Sequence, residues 1–482
     1  MNKTTLLSIK KEYGIRASDS LMERRLYSRD LAPVPALLVQ PMFNTLPDLV
    51  VRPATAGEVS DLVKRACSEH IPVIPRAGAT TVFFNTVPVS GGMVIDLNLM
   101  NGVVGLDELG MTVTVKAATT WFDLEDYLNQ RNYSCKSVPS SAPAATVGGW
   151  LCMMGYGIGS LKYGSLISQV RAIEVVLPNG RIEKITKGSN SWIEWYAASE
   201  GTLGIVTEIE LEIRPLTSMK HFLLHVPDIR RALFVMENMM DGKQVPYNMH
   251  FSDAHYLRAM KALGMSHLDN DSGCLVAVDY EGSLEELSAA AGDMDRFLKS
   301  DRSVTLLPET LAEEEWKERF RSIRLKRGGP SVLGGEIWLP IRNMPAYMDD
   351  VERMAKRYGV DLISYGHVVS PEHATMMTVF FTDETKSLKY MLDLSLVKKI
   401  QDAGYHNGGC PYGVGLWNTP YIRRIHNHAN LKKIRGRKKN MDPFNIMNPG
   451  KVYRQPLMLN ALPFHMGMEF FAALRRLFRK GW

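Results

Sequence analysis

The chain has 482 residues, 45% of them hydrophobic and 22% charged, with a formal net charge of +6. That length exceeds one simple core, so two or three domains are expected, and the composition is that of an ordinary soluble globular protein. The mild basic excess makes no case for nucleic acid, and Cys67, Cys135, Cys152, Cys274 and Cys410, with no CxxC pair, rule against a zinc ribbon or an iron–sulfur cluster within the chain. Neither a signal peptide nor a membrane-spanning apolar run is expected, so a cytoplasmic protein with reduced thiols is the first expectation.

Residues 1–45 read as a lead-in, helical over Ile9–Tyr27 and then extended and Pro-rich. Organisation begins at Leu49, where LVVRP reads as a strand. Thr55 and Glu58 have capping-box spacing ahead of the helical period Val59, Leu62, Val63, Ala66, which ends near His70. Ile71–Pro75 is a second strand, and strand–helix–strand order favours a parallel pair. PRAGATT follows directly: Pro75, Arg76, Ala77, Gly78, Ala79, Thr80 and Thr81. Small residues at a strand end leave N–H groups free to converge on an oxyanion, and Arg76 adds a fixed charge. A plain β-turn is the alternative. Met93–Leu97 and Val113–Lys116 read as strands, and Trp121–Gln130 as a helix.

Pro139–Gly164, PSSAPAATVGGWLCMMGYGIGSLKYG, is rich in glycine and nearly free of charge before Lys162. Each glycine would cost a helix about 1 kcal/mol, so this density suits a backbone that passes close to a large ligand and offers it N–H groups. Val170–Leu177 reads as a buried strand and Pro178-Asn179-Gly180 as a hairpin turn. SEGTLGIVT, Ser199–Thr207, leads into an alternating strand, Glu208–Ile213, that Pro215 closes.

With PRAGATT, PSS…TVGG, SLKYG, VVLPNG and SEGTLGIVTEIEL in this order, Leu49–Pro215 resembles the FAD-binding domain of the vanillyl-alcohol oxidase and p-cresol methylhydroxylase superfamily, most of all the glycolate oxidase and D-lactate dehydrogenase flavoprotein subunits. The resemblance implies an α+β fold. A two-subdomain FAD-binding domain of p-cresol methylhydroxylase type would occupy 46–217, and an α+β cap domain for the substrate, with an antiparallel sheet, 218–440. A C-terminal segment, 441–457, would return to the FAD domain. The implied activity is a FAD dehydrogenase moving hydride to flavin N5 from a small-molecule substrate, a 2-hydroxy acid of D-lactate or glycolate type. In the family, the first loop and the glycine stretch wrap the pyrophosphate and ribityl chain, and the last loop lies beside the adenosine. Carried over, these roles fall to Pro75–Thr81, then to Pro139, Ser140, Ser141, Thr146, Gly148, Gly149, Gly155, Tyr163 and Gly164, and finally to Glu200, Gly201, Gly204, Ile205 and Val206. Ala77 and Ala79 stand where glycines are usual; an alanine still donates its N–H there if φ stays negative. Trp150, where a small polar residue is usual, reads as core packing. Covalent attachment in the superfamily uses His or Cys. His70 lies away from the glycine loops, so non-covalent FAD is expected, with attachment through a second-domain histidine left open.

Over 216–440, strands at His221–Val226, Leu275–Tyr280, Glu336–Pro340 and Thr375–Thr382 alternate with helices at Asp228–Asp241, Ser283–Lys299, Pro345–Tyr358 and Thr385–Ala403. They predict an antiparallel sheet covered on one face. Related 2-hydroxy-acid dehydrogenases carry an HxGDGNLH-like stretch and a late Glu-His-Gly, which in metal-using members hold a divalent ion. Here GHVVSPEH lacks GDGN, and Pro411 and Tyr412 replace the Glu and His. Proline has no side-chain ligand, so no metal is predicted. His367, His373 and Tyr412 remain able to polarise or deprotonate a hydroxyl, with Trp417 and Asn418 nearby. Arg319, Arg321, Arg324 and Arg327 run where the family places a carboxylate-binding arginine. MDPFNIMNPGK resembles the returning segment, which implies that Asn448 and Lys451 approach the flavin ring, a positive charge stabilising its reduced anion. Two alternatives stand beside this: a 4-alkylphenol-oxidising flavoenzyme, with Gly415–Thr419 as an altered GxYRT-like motif, and an electron-transfer subunit without a small-molecule substrate.

In the tail, 458–482, Phe470, Phe471, Leu474, Leu477 and Phe478 form one helical face beside Arg475, Arg476, Arg479 and Lys480, and Trp482 ends the chain. A chain without cysteine clusters hands electrons to a quinone or to a separate protein such as an iron–sulfur subunit, a cytochrome or an electron-transfer flavoprotein. The tail is expected to dock such a partner or to make peripheral contact with an anionic membrane surface, at the inner face of the membrane.

Overall fold

The structure, a computed structural model, describes residues 1–32, 41–188, 193–266, 272–453 and 462–477. Phe478, Arg479, Lys480 and Trp482 of the tail lie outside the described residues, as do 33–40 of the Pro-rich approach and 454–457 of the returning segment. The chain divides into two compact units. Met1–Gly155, Leu166–Pro215 and Gly413–Ala461 make the first, and Tyr156–Ser165, Leu216–Tyr412 and Leu462–Trp482 the second. Residues 413–440 therefore belong to the first unit, although the sequence places them with the cap. The physical reason is polar: the Lys438 ammonium is buried there, donating to Thr202 O at 2.7 Å, Met447 O at 2.9 Å and the Asp442 carboxylate at 2.5 Å.

Among the described residues of the first unit, β1 (Ala17–Ser18), β2 (Leu49–Val51), β3 (Val73–Arg76) and β4 (Met93–Asp96) form a sheet in the order β1-β2-β4-β3. The helix Ala56–Glu69 opens where the Thr55 hydroxyl accepts the Glu58 N–H and buries the expected stripe Val59, Leu62, Val63, Ala66. His70, at a left-handed φ of 54°, closes it. The direct parallel pair expected of β2 and β3 does not form, because β4 lies between them and runs parallel to both. A helix about 10 Å across spans two strand spacings of about 4.8 Å, leaving room for one strand. Val50, Ile74 and Val94 fill the row so created.

A second sheet contains β5 (Val103–Asp107), β6 (Thr112–Lys116), β7 (Tyr133–Cys135), β8 (Val170–Val176), β9 (Ile182–Thr186) and β10 (Ile205–Pro215). Its order is β5-β6-β10-β8-β9, with β7 also on β10. The Asn179-Gly180 turn joins β8 to β9, as the dipeptide predicts. β10 buries Thr207, Ile209, Leu211 and Ile213 and leaves the intervening glutamates half-buried, the period of two that a one-sided strand requires. The returning segment adds itself to β3: the Val73 N–H donates to Ile446 O at 2.7 Å, and the Asn448 N–H to Val73 O at 2.7 Å.

The second unit is built on an antiparallel sheet of β11 (Ser218–Val226), β12 (Asn248–Ser252), β13 (Cys274–Gly282), β14 (Thr305–Leu306), β15 (Ser331–Pro340), β16 (Ile363–Ser370), β17 (His373–Thr382) and β18 (Cys410–Pro411). Its order is β14-β11-β13-β12-β16-β17-β15-β18. The four expected helices form as Ile229–Met240, Leu284–Ser300, Met344–Tyr358 and Ser387–His406, the second on a complete Ser283–Glu286 capping box. The cover is not confined to one face, because Ala254–Ala262 and Glu309–Lys317 pack on the other, around Leu223, Ala277 and Ile363.

The terminal helix Leu462–Leu477 packs within this same unit. Met468 and Ala472 are buried, and the Arg475 Nε donates to Asp393 at 2.6 Å. Arg475, expected on a docking face, is thus an internal residue, while Met466, Phe470 and Leu477 point outward. Among the described residues, no helix is long and apolar enough to cross a membrane.

Candidate functional site

The loop after β3 depends on close backbone approach. A Cβ on Gly78 would stand 2.5 Å from Ala144 O, so only glycine lets this loop lie against the glycine-rich stretch. Ala79 takes a φ of 50°, so the loop keeps a glycine-like conformation in spite of a Cβ, at a cost of about 1–2 kcal/mol. The negative φ expected of an alanine there is not what the chain adopts. Pro75, Ala77, Thr80 and Thr81 are half-buried around it. The Arg76 guanidinium donates to Arg29 O at 2.7 Å and stacks over Tyr27, 5.0 Å from the ring centroid.

The glycine-rich stretch opens on a turn at Pro139–Ser141, where Ser141 O accepts the N–H groups of Ala144 and Ala145. The Thr146 hydroxyl then accepts the Gly149 N–H at 3.3 Å, starting the helix Val147–Cys152 that carries Gly148. Trp150 is buried edge-on to Trp121, centroids 5.0 Å apart, which explains why a small polar residue is absent. Gly155 completes the stretch within this unit, whereas Tyr163 and Gly164 belong to the second. There the Tyr163 hydroxyl donates to the Glu281 carboxylate at 2.5 Å, with Lys162 3.4 Å from the same group.

Glu200, expected beside the cofactor, is spent inside the protein. Its Oε1 accepts the N–H groups of Val414 at 2.9 Å and Gly415 at 3.0 Å, and its Oε2 accepts Gly415 again at 2.8 Å. Burial pushes its pKa up to about 7 against those hydrogen bonds. Gly201, Gly204, Ile205 and Val206 follow it, the last two entering β10, and a Cβ on Gly201 would strike Pro75 at 2.4 Å. The Asn448 amide donates to Asn85 O at 3.0 Å and Glu200 O at 2.7 Å. Asn418, also buried, donates to Gly413 O at 3.0 Å, while the Leu416 N–H reaches Phe83 O at 3.0 Å and Trp417 sits half-buried beside it. Phe83–Thr86 is therefore where loop, returning segment and Gly413–Asn418 turn meet, and the sequence offered no motif that marks it.

Lys451 is the exception among these internal groups. It is 1% exposed, its Nζ has no hydrogen-bond partner among the described residues, and it sits 4.7 Å from the centre of the Phe84 ring. Burial pulls its pKa down to about 7, opposed by the Asp30 and Glu200 carboxylates.

In the second unit the strand register assembles a polar row. Ala277, His250, His367, Thr375 and Trp338 stand opposite one another across β13, β12, β16, β17 and β15, so all project from one face. His221, Asp279 and Asn248 form the neighbouring row. The His250 and His367 rings lie 4.7 Å apart. Asn248 Nδ2 donates to Asp279 at 2.8 Å, which leaves its Oδ1 to accept from His367 Nδ1 at 3.2 Å. That fixes the His367 proton on Nδ1 and turns a bare Nε2 lone pair outward. Burial holds the His367 pKa at about 4 and pushes that of His250 well below the ordinary histidine value, so both imidazoles are neutral near neutrality.

Of these, Asn248, His250, Ala277, Asp279 and His367 line a cavity with Glu315, Trp316, Glu318, Arg319 and Arg321. Arg321 is buried and paired with Glu315, and Arg319 stacks on Trp316, 4.3 Å from the ring centroid. Arg324 and Arg327 are exposed, as a solvated face requires, whereas Arg319 and Arg321 reach the cavity. His373 stacks on Trp338, centroids 3.6 Å apart, and Tyr412 Oη accepts the Tyr156 N–H at 3.0 Å. His250, Asn248 and Asp279 were not singled out by sequence. The strand of Asn248 and His250, NMHFS, is a short run whose significance appears only once His250 is seen opposite His367, with Asp279 supplied by the neighbouring strand β13.

Residues 47–186 match the family described as FAD binding domain, and residues 217–452 the C-terminal domain of FAD linked oxidases. The glycolate oxidase subunit GlcD of Bacillus subtilis (strain 168) is 26% identical over 449 residues, 90% of this chain and 93% of that protein. The mitochondrial cytochrome D-lactate dehydrogenase of Arabidopsis thaliana is 26% identical over 84% of this chain and 73% of its own. A solved structure of p-cresol methylhydroxylase with substrate bound shares the fold, with a TM-score of 0.77 at 17% identity, over 94% of this chain and 96% of that one.

Proposed function

The chain belongs to the FAD-linked oxidases, and on that premise we propose that it is a FAD-dependent dehydrogenase of a small 2-hydroxy acid that delivers its electrons to a separate protein or quinone. The first unit's residues fit the cofactor. The loops at Pro75–Thr81 and Pro139–Gly149 bring backbone close to backbone without bulky side chains, as a pyrophosphate requires, and Lys451 supplies a buried amine with no partner among the described residues. Bound there, the flavin would accept a hydride from the substrate carbon. Non-covalent binding agrees with His70, which caps a helix and stacks on Phe444 at 3.8 Å.

The observation that carries the substrate class is the cavity of the second unit. Two neutral imidazoles beside two arginines suit a molecule with one carboxylate and one adjacent hydroxyl. The Arg319 guanidinium favours the carboxylate, and Arg321, paired with Glu315, holds the wall beside it in place. The outward lone pair of His367 Nε2 accepts the hydroxyl proton, with Asn248 and Asp279 fixing its tautomer. Tyr412 and His373 lie outside the residues that line this cavity and take no part in it.

A dye-linked assay of the purified holoenzyme against 2-hydroxy acids and 4-alkylphenols tests this. Turnover with a hydroxy acid, lowered about 100-fold in His367→Ala, is the expected result. Turnover with phenols alone, or with neither class, overturns it.

A further inference from the structure

Residues 422–441 carry eight arginines and lysines, and no Asp or Glu occurs between Asp402 and Asp442. The helix His428–Met441 sorts its charges into two sets. One set fastens the helix to the first unit: the buried Lys438 ammonium donates to Thr202 O and Met447 O, Arg435 Nε donates to Tyr453 O at 3.0 Å, and the Arg437 guanidinium lies over Trp195, 4.6 Å from the ring centroid. The other set, Lys432, Lys433 and Lys439, is exposed, and none of the three has an ion pair or hydrogen bond among the described residues. At about 100° per residue these three span an arc of about 120° centred on Gly436, where an added Cβ would meet nothing within 4 Å. Lys433 with Arg437 and Arg435 with Lys439 are like charges four residues apart, which weakens an isolated helix, so the fold itself gains nothing from this pattern. No exposed residue of the helix is a large apolar side chain, as a helix lying in a membrane interface requires, and none is Phe, Tyr or Trp, on which a nucleic-acid base would stack. The terminal helix Leu462–Leu477 has the opposite character, with Arg475 spent on Asp393 and Met466, Phe470 and Leu477 exposed.

We propose that the outward face of the helix His428–Met441 is the docking surface for an acidic electron-accepting protein, whose carboxylates meet Lys432, Lys433 and Lys439. The proposal rests on the reading of the chain as a FAD dehydrogenase that passes its electrons on, and it narrows that reading to one surface and one partner chemistry. Oxidation of one 2-hydroxy acid to the 2-oxo acid releases two electrons and two protons. The electrons leave to two one-electron acceptors and the protons to solvent. Lys438 ties the helix to the loop before β10 and to the returning segment, so the docking face is fixed on the unit whose residues fit the cofactor. Exposed charges of this kind steer a partner and select it by sign, and salt screens them.

The test is calorimetric binding of two probes to the oxidised holoenzyme: succinylated cytochrome c, an acidic one-electron protein, and native cytochrome c, its basic counterpart. The acidic form is expected to bind about tenfold more tightly or better, a preference lost between about 10 and 300 mM salt. Lys432→Glu/Lys433→Glu/Lys439→Glu is expected to weaken that binding about tenfold while dye-linked turnover stays unchanged. Lys3→Glu/Lys11→Glu/Lys184→Glu, the same change of net charge on exposed residues of the same unit, is expected to weaken it less than about twofold. Wild-type affinity in the first variant, or equal loss in both, overturns the proposal. Should the first variant lose its flavin or its Tm, Lys432→Gln/Lys433→Gln/Lys439→Gln decides: weakened binding by the intact protein supports the surface, and unchanged binding overturns it. Tighter binding, through the same lysines, to phosphatidylglycerol vesicles or to duplex DNA overturns the acidic protein as the occupant. Hydroxy-acid turnover with dye but no docking at this face overturns this inference and leaves the dehydrogenase reading standing, whereas docking without turnover of any hydroxy acid overturns that reading alone.

Discussion

The two units use buried polarity in opposite ways. In the first, buried carboxylate and amide groups are tied to backbone: Glu200 takes three contacts from Val414 and Gly415, and Asn448 links Asn85 to Glu200. Their work is to fix loops, while the buried Lys451 amine has no hydrogen-bond partner among the described residues. In the second, polar side chains are collected on one sheet face and bonded to one another, Asp279 to Asn248 to His367, so that an unshared lone pair remains. A scaffold that shapes a cofactor site needs backbone held still. A site that handles a proton needs side chains of known tautomer and charge.

That contrast is broken most forcefully at Glu200. Glu200→Ala leaves the Val414 and Gly415 N–H groups buried without acceptors and should cost about 3 kcal/mol or more, seen as a lower Tm and a reduced flavin-to-protein ratio. His367→Ala should behave conversely, lowering kcat about 100-fold while Tm moves little. The pH profile sharpens the same point. The His367 pKa lies near 4, below an ordinary histidine, so its neutral form persists as pH falls well past the usual range. Its contribution to stability is present above about 6.5 and is lost as pH falls toward 4. Activity should therefore show no His367 limb between about pH 5 and 8. An inflection near 6.5 that vanishes in His367→Ala would contradict the assignment. Arg319→Gln should raise KM for a hydroxy acid more than it lowers kcat, in steady-state assays. The smallest effect is expected at Ala79, where Ala79→Gly removes the left-handed Cβ strain and should stabilise by about 1 kcal/mol, a rise of a few degrees in Tm.

The first unit was the more legible in sequence because its determinants are local. Thr55 with Glu58 announced a helix start, Asn179-Gly180 a hairpin, and the order of small-residue loops a cofactor fold. Strand order was not legible: nothing in Leu49–Arg76 says that Met93–Asp96 will come to lie between its two strands. Nor was the fate of Glu200, since a carboxylate in a loop reads the same whether it meets a ligand or two backbone amides. In the second unit, His367 stood out as a residue type, but its partners did not. Asn248, His250 and Asp279 lie more than eighty residues from it and meet it only through register. The tail shows the same limit, because the Arg475 that completes an apparent basic face is neutralised by Asp393, a partner no helical period could supply.

The most direct measurement is an anaerobic visible spectrum of the purified protein, before and after addition of single 2-hydroxy acids. The account predicts a flavin spectrum that bleaches with at least one of them and does so far more slowly in His367→Ala. A flavin spectrum that no hydroxy acid bleaches, or a protein that carries no flavin, would contradict it.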